Sequence, residues 1–172
     1  MTDLASLYRR PSGKASSQKA LPIELYPAII KSYSIEEINR PTMSPLPVPA
    51  LRLQLGFTDW PKAVSKEDRQ ETDMNGKTVP IDISNRSLRT DMITPSAENQ
   101  ANWTGSVRPD TFWYFLDQFL KSCGIELGPD YETLFPQLLG CKVNVEVQQY
   151  TNTKTGEIGN QIGRVFGNSN AS

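Results

Sequence analysis

Histidine is absent from the 172 residues, which removes the commonest general base near neutral pH and the commonest metal ligand together. Cysteine is nearly absent. Cys123 and Cys141 are the only two, and they form no Cys-x-x-Cys pair. Neither a disulfide framework nor a thiolate zinc site is expected, and the pair reads as small buried hydrophobes in a reducing cytosol. With no histidine to act as base, thiolate catalysis lacks its usual partner. No run of eighteen apolar residues occurs, and the opening "MTDLASLYRRPSGKASSQKA" has no apolar stretch of the kind that targets a chain for secretion. Membrane insertion and export by a leader are therefore not expected, and a cytoplasmic location is.

Charge of one sign is also lacking. The formal net charge is -1, which excludes a broadly basic nucleic-acid binder while leaving room for a local basic face. There is no G-x-S-x-G elbow. Gly156, Gly159, Gly163 and Gly167 fall in a strand pattern instead of opening a helix, so they do not make a phosphate loop. The adjacent carboxylates Glu36 with Glu37 and Glu67 with Asp68 sit in segments that read as exposed, where paired acids are solvated. The expectation is a non-enzyme without cofactor or metal.

Proline and glycine are plentiful, thirteen and eleven residues, which implies many turns and irregular crossings. Residues 1–20 are polar and Ser-rich, with Arg9, Arg10, Lys14 and Lys19 against Asp3. They read as a flexible basic arm, free or ordered on a partner. Residues 21–167 read as one β-rich domain and 168–172 as a disordered tail. "LPIELYPAIIKSYSIEEI" alternates Ile23, Leu25 and Ile29 against Glu24, Tyr26, Ala28 and Ile30. Pro27 assigns that strand to an edge or a bulge, because proline donates nothing to a ladder. After the proline-rich "NRPTMSPLPVPA", the segment "ALRLQLGFTDW" sets Leu51, Leu53, Leu55 and Phe57 on one face, with Arg52, Gln54 and Thr58 on the other.

Residues 61–77 read as a loop or short exposed helix closed by Asn75-Gly76, and two short strands fit "TVPIDISN" and "SLRTDMIT". "PSAENQANWTGSVRP" reads as a loop. The strong helix is "PDTFWYFLDQFLKSCG", with Phe112, Phe115, Leu116, Phe119 and Leu120 in one apolar stripe, Pro109 at its start and Gly124 at its stop. By that spacing the phenylalanines are core. A shorter turn is expected at "DYETLF", capped by Asp130 and ended by Pro136.

The closing segment "GCKVNVEVQQYTNTKTGEIGNQIGRVFG" reads as a hairpin turning at Gly156. Cys141, Val143, Val145 and Val147 point inward, and Lys142, Asn144, Glu146, Gln148 and Tyr150 outward. Ile158, Ile162 and Phe166 return on the partner strand. Gly159 and Gly163 mark a bulge or the close approach of something bulky. The sum is a mainly β (α+β) fold of five to six strands with one amphipathic helix packed on them. It is a small antiparallel barrel or sandwich, of the five-stranded Greek-key type that binds oligonucleotides.

Such faces hold single strands through aromatic stacking beside cations. The candidates are Tyr26, Tyr33, Trp60 and Tyr150 for stacking, and Arg52, Arg86, Arg89, Lys142 and Arg164 for phosphate. Tyrosine beside lysine on an outer strand face is equally ordinary sheet decoration.

Taken together, "LPIELYPAIIKSYSIEEINRP", the leucine-alternating strand, "DTFWYFLDQFLKSCGIEL" and "LLGCKVNVEVQQYTNTKTGEIGNQIGRVFG" resemble a group of phage and prophage proteins of unassigned function. The resemblance covers residues 21–167 and rests on fold-defining positions. It implies a phage-encoded single-stranded-DNA-binding protein of replication or recombination in the host cytoplasm, with single-stranded DNA, further copies of the chain or other phage proteins as partners. The neutral ending "GNSNAS" departs from the acidic tails with which many such proteins recruit partners. A virion component, as capsid decoration or tail-associated protein, or an inhibitor of a host defence protein, fits the same residues.

Overall fold

The computed structural model describes residues 19–168. The arm expected over residues 1–20 lies outside that range except for Lys19 and Ala20, and the tail over 168–172 lies outside it except for Asn168. The described residues hold seven strands: β1 (Glu24–Ile38), β2 (Val48–Phe57), β3 (Gln70–Thr72), β4 (Thr78–Pro80), β5 (Ser87–Ile93), β6 (Lys142–Thr151) and β7 (Ile158–Gly167). The helices are α1 (Ala97–Ala101), α2 (Pro109–Ser122) and α3 (Tyr131–Leu134). Five strands form one antiparallel sheet in the order β5-β2-β1-β6-β7, and β3 with β4 makes a separate small ribbon. The fold is mainly β. The sheet is curled but not closed: β5 and β7 approach one another without a ladder between them, and α2 packs against both.

β1 is the central strand, not an edge, and Pro27 sits inside it. The register explains why proline is tolerated. The Pro27 carbonyl accepts from the Thr58 N–H at 3.1 Å, so its missing N–H would face the β2 flank, where β2 has already ended at Phe57. The ladder to β6 loses nothing. Further on, a bulge between Ile30 and Ser32 adds Lys31 and reverses the parity of β1. Tyr26, Ala28 and Ile30 face the core before it; Tyr33 and Ile35 stand opposite Leu53 and Leu51 after it. The aliphatic part of the displaced Lys31 lies over Gly56, where any Cβ would collide with it.

The core joins Leu51, Leu53 and Leu55 of β2, Val143, Val145 and Val147 of β6, and Leu116, Phe119 and Leu120 of α2. The helix begins with proline in its first turn and stops at Gly124, whose φ is 80°. Its buried stripe is narrower than the sequence implies. Phe119 is 6% exposed but Phe115 is 59% exposed, so Phe115 is not a core residue. A helix lying across a seam between two strands meets them along one line, and Phe115 falls beside that line.

Two loops gain structure that the sequence did not announce, and one expected strand shortens. Residues 61–77 contain a 3₁₀ turn over Glu67–Arg69 and then β3, which pairs with β4 across the turn at Gly76. The expected strand "TVPIDISN" yields only Thr78–Pro80 before a second 3₁₀ turn at Ile83–Asn85. The segment after Pro95 forms α1, started by a reciprocal cap between Ser96 and Asn99. The buried Asn99 amide also donates to Ser44 Oγ at 3.1 Å and the Pro47 carbonyl at 3.0 Å, which pins the β1–β2 loop. Pro136 does not end the chain's turn after α3; it opens a 3₁₀ turn over Phe135–Leu138.

The terminal hairpin turns at Gly156, φ 75°, as its sequence predicts. Its return strand departs from simple alternation. Between Val145 and Val147 the β7 side carries two residues, Gly163 and Arg164, against Glu146 alone. That bulge changes parity, so Val165 packs on the core while Phe166 is 43% exposed. Ile158 is exposed as well.

Candidate nucleic-acid interface

On β2 the residues between the core leucines must point away from them, which sets Arg52 and Gln54 on the outer face. The register brings Asp91 opposite Arg52 and Arg89 opposite Gln54. Arg52 grips Asp91 with both arms of its fork, Nε to Oδ1 at 2.9 Å and Nη2 to Oδ2 at 3.1 Å. That hydrogen bonding holds the Asp91 carboxyl below its ordinary range against partial burial, and Arg89 and Arg40 add to the field. The same pair raises the Arg52 pKa, with a smaller contribution from Glu36. Three guanidinium groups therefore face two carboxylates, and this part of the sheet is net positive although the whole chain is not. Gln54 is held by its own bond to Ser87 Oγ at 3.0 Å.

Asp91 also lies at the rim of an open groove of about 750 Å³ between α2 and the β5–β7 seam. Met92, Phe112, Phe115, Phe119 and Phe166 line it, with Arg164 at its edge. Phe115 and Phe166 present ring surface to solvent. The Arg164 side chain makes no hydrogen bond or ion pair among the described residues.

The residues singled out from sequence do not converge on one site. Arg52 and Arg89 share the β2–β5 face, and Arg164 stands across the seam. Tyr26 is corrected to core: it is 0% exposed, packs on Phe57 at 5.2 Å, and donates its hydroxyl to the Pro22 carbonyl at 2.8 Å. Burial first, then the charges of Glu24 and Asp68, push its pKa up to about 12. Trp60 is no open platform either, since it packs on Tyr26 and Arg69 lies over its ring at 5.7 Å. Arg86 is buried and engaged, donating to the Lys19 carbonyl at 2.9 Å and Glu71 Oε2 at 3.1 Å. Burial lowers its pKa, opposed by Glu71. It clamps the small ribbon to the sheet and is not available to a ligand.

Tyr33 is half-buried against Phe135. Lys142 and Tyr150 both face outward on β6 but stand at opposite ends of that strand, about 27 Å apart at the usual rise per residue. Tyr150 is 47% exposed and its ring lies over Gly159, which explains the glycine there. Gly163 is overlain in the same way by Glu146 and Gln148, which bond to each other at 2.8 Å. The hairpin's polar face is thus partly closed by its own side chains. What the sequence reading missed is the pair of exposed phenylalanines, Phe115 and Phe166.

Among the described residues no group of acids and thiols has the arrangement of a metal site, and no helix is long and apolar enough to cross a membrane. Cys123 and Cys141 are free thiols, and burial pushes Cys123 up to about 12 and Cys141 in the same direction, away from thiolate chemistry. In comparison with known proteins, no family model matches the chain and no curated protein is significantly similar to it.

Proposed function

We propose that this chain is a non-catalytic binder of single-stranded DNA, and that the face formed by β2 and β5 carries the phosphate backbone. The observation behind this reading is the set of Arg40, Arg52 and Arg89 around Asp91 and Glu36, which leaves one positive charge in excess. The strand order gives further support. A sheet ordered β5-β2-β1-β6-β7 with a helix between β5 and β6 has the connectivity of a five-stranded Greek-key barrel opened along its third and fifth strands. In that architecture the second and third strands, flanked by the first and last strand-joining loops, receive oligonucleotides. Here those strands are β2 and β5, and the two loops bring Arg40 and Lys154. The phage context, and a role in replication or recombination, rest on the sequence resemblance.

The test is anisotropy of a labelled single-stranded oligonucleotide over a salt series. Each phosphate contact removed is expected to lower the slope of log affinity against log salt by about 0.7. Arg89→Gln and Arg40→Gln, neither of which breaks an ion pair among the described residues, should each show that change with an unaltered melting temperature. Absence of binding at low salt would sink the reading and favour a virion component.

A further inference from the structure

The β2–β5 face has a physical gap as a single-strand site: it offers cations but no aromatic ring, because Tyr26 and Trp60 are turned into the fold. Phosphate contacts alone give weak, strongly salt-dependent binding, and single-strand binders add stacking platforms beside the charged track. Two rings open to solvent, Phe115 and Phe166, line the groove that Asp91 also lines. Asp91 belongs to both, pairing with Arg52 on the charged face and lining the groove. The acid does not bar a polyanion, because Arg52 holds both of its oxygens.

We infer that the groove between α2 and the β5–β7 seam receives unstacked bases of the strand whose backbone crosses β2 and β5. Phe115 and Phe166 supply the stacking faces, and Arg164 the cation at the rim. This rests on the single-strand reading above and extends it to a second subsite. The volume, about 750 Å³, is in the range that encloses small-molecule-sized groups, roughly 300–1,000 Å³. Gln118, exposed on the same helix face, offers an amide for base edges. An extended peptide fits less well. It would pair its main chain with the unladdered edges of β5 and β7, which calls for neither the exposed rings nor the cation. Nucleotides, which join a flat apolar base to a charged backbone, match both the exposed rings and the cation beside them.

The experiment compares a single-stranded thymine oligonucleotide of about 15 nucleotides, within the span that one such fold covers, with an abasic strand of equal length. The proteins are the full chain, Phe115→Ala, Phe166→Ala and Phe115→Leu, which keeps apolar bulk but removes the ring. Phe115→Ala and Phe166→Ala are each expected to weaken thymine-strand binding by about 5- to 150-fold. The salt slope stays unchanged, and the preference for bases over the abasic strand shrinks. Phe115→Leu should behave like Phe115→Ala in binding and like the parent in thermal melts. If the parent binds with a normal salt slope but the phenylalanine variants match it, the groove inference falls and the charged face stands. Equal weakening on both strands also overturns it. If the parent binds neither strand at low salt, both readings fall.

Discussion

Two phenylalanines on α2, four residues apart, provide the sharpest test of how the helix sits. Phe119 is 6% exposed within the cluster that includes Leu51, Leu53 and Val145. Truncating it removes a ring from packed surroundings and leaves a cavity, so Phe119→Ala is expected to cost about 3–5 kcal/mol. Phe115 is 59% exposed, so about two-fifths of its surface is buried. Full burial of such a side chain is worth about 1.5–3 kcal/mol, which scales to about 0.6–1.2 kcal/mol here with no enclosed cavity to add. For a domain of this size each kcal/mol moves the melting temperature by about 2–4 °C. The two variants should therefore differ by at least several degrees in a thermal scan, and in urea midpoint at equal m-value. Equal losses would refute the reasoning, because they would mean that the helix is rolled about its axis and that Phe115 is core after all.

The other predictions concern close approach and pH. A Cβ at Gly167 would collide with the Ser122 carbonyl carbon and the Cys123 nitrogen, both backbone atoms. Gly167→Ala should thus destabilise by about 1–3 kcal/mol through forced separation of β7 from the end of α2. Gly128→Ala, where nothing lies within 4 Å, should be nearly neutral in the same melts. Asp91, whose pKa is lowered by the Arg52 hydrogen bonds, contributes stability that is present above its unfolded value and lost as pH falls through its folded value. The stability gap between the parent and Asp91→Asn is expected to be open at about pH 7 and to narrow as pH falls from the ordinary carboxylate range through the folded value. A gap independent of pH would show that the pair contributes nothing through ionisation.

Several features of this chain follow from local chemistry, and the sequence carries them in full. The period-two leucines of β2 and valines of β6, the proline-started and glycine-stopped α2, and the glycine turn of the last hairpin each depend on a few neighbouring residues. Backbone sterics and the alternation of side chains determine them whatever the rest of the chain does. The mainly β character with one helix across the strands follows from adding these pieces.

The rest depended on contacts between distant residues. Whether Pro27 marks an edge or lies in a central strand turns on where β2 ends beside it. The bulges at Lys31 and at Gly163–Arg164 reverse which face is inside, so no alternation pattern read along one strand could place Tyr33 or Phe166 correctly. Arg86 and Arg52 look alike in sequence, yet one is buried against Glu71 and Lys19 while the other ends on an outer face with Asp91. Composition and spacing alone determined β2, β6, α2 and the turn at Gly156. Burial, and with it which arginines and aromatic rings remain open to a ligand, was decided by tertiary packing, because exposure belongs to the neighbours that cover a side chain and not to the side chain itself.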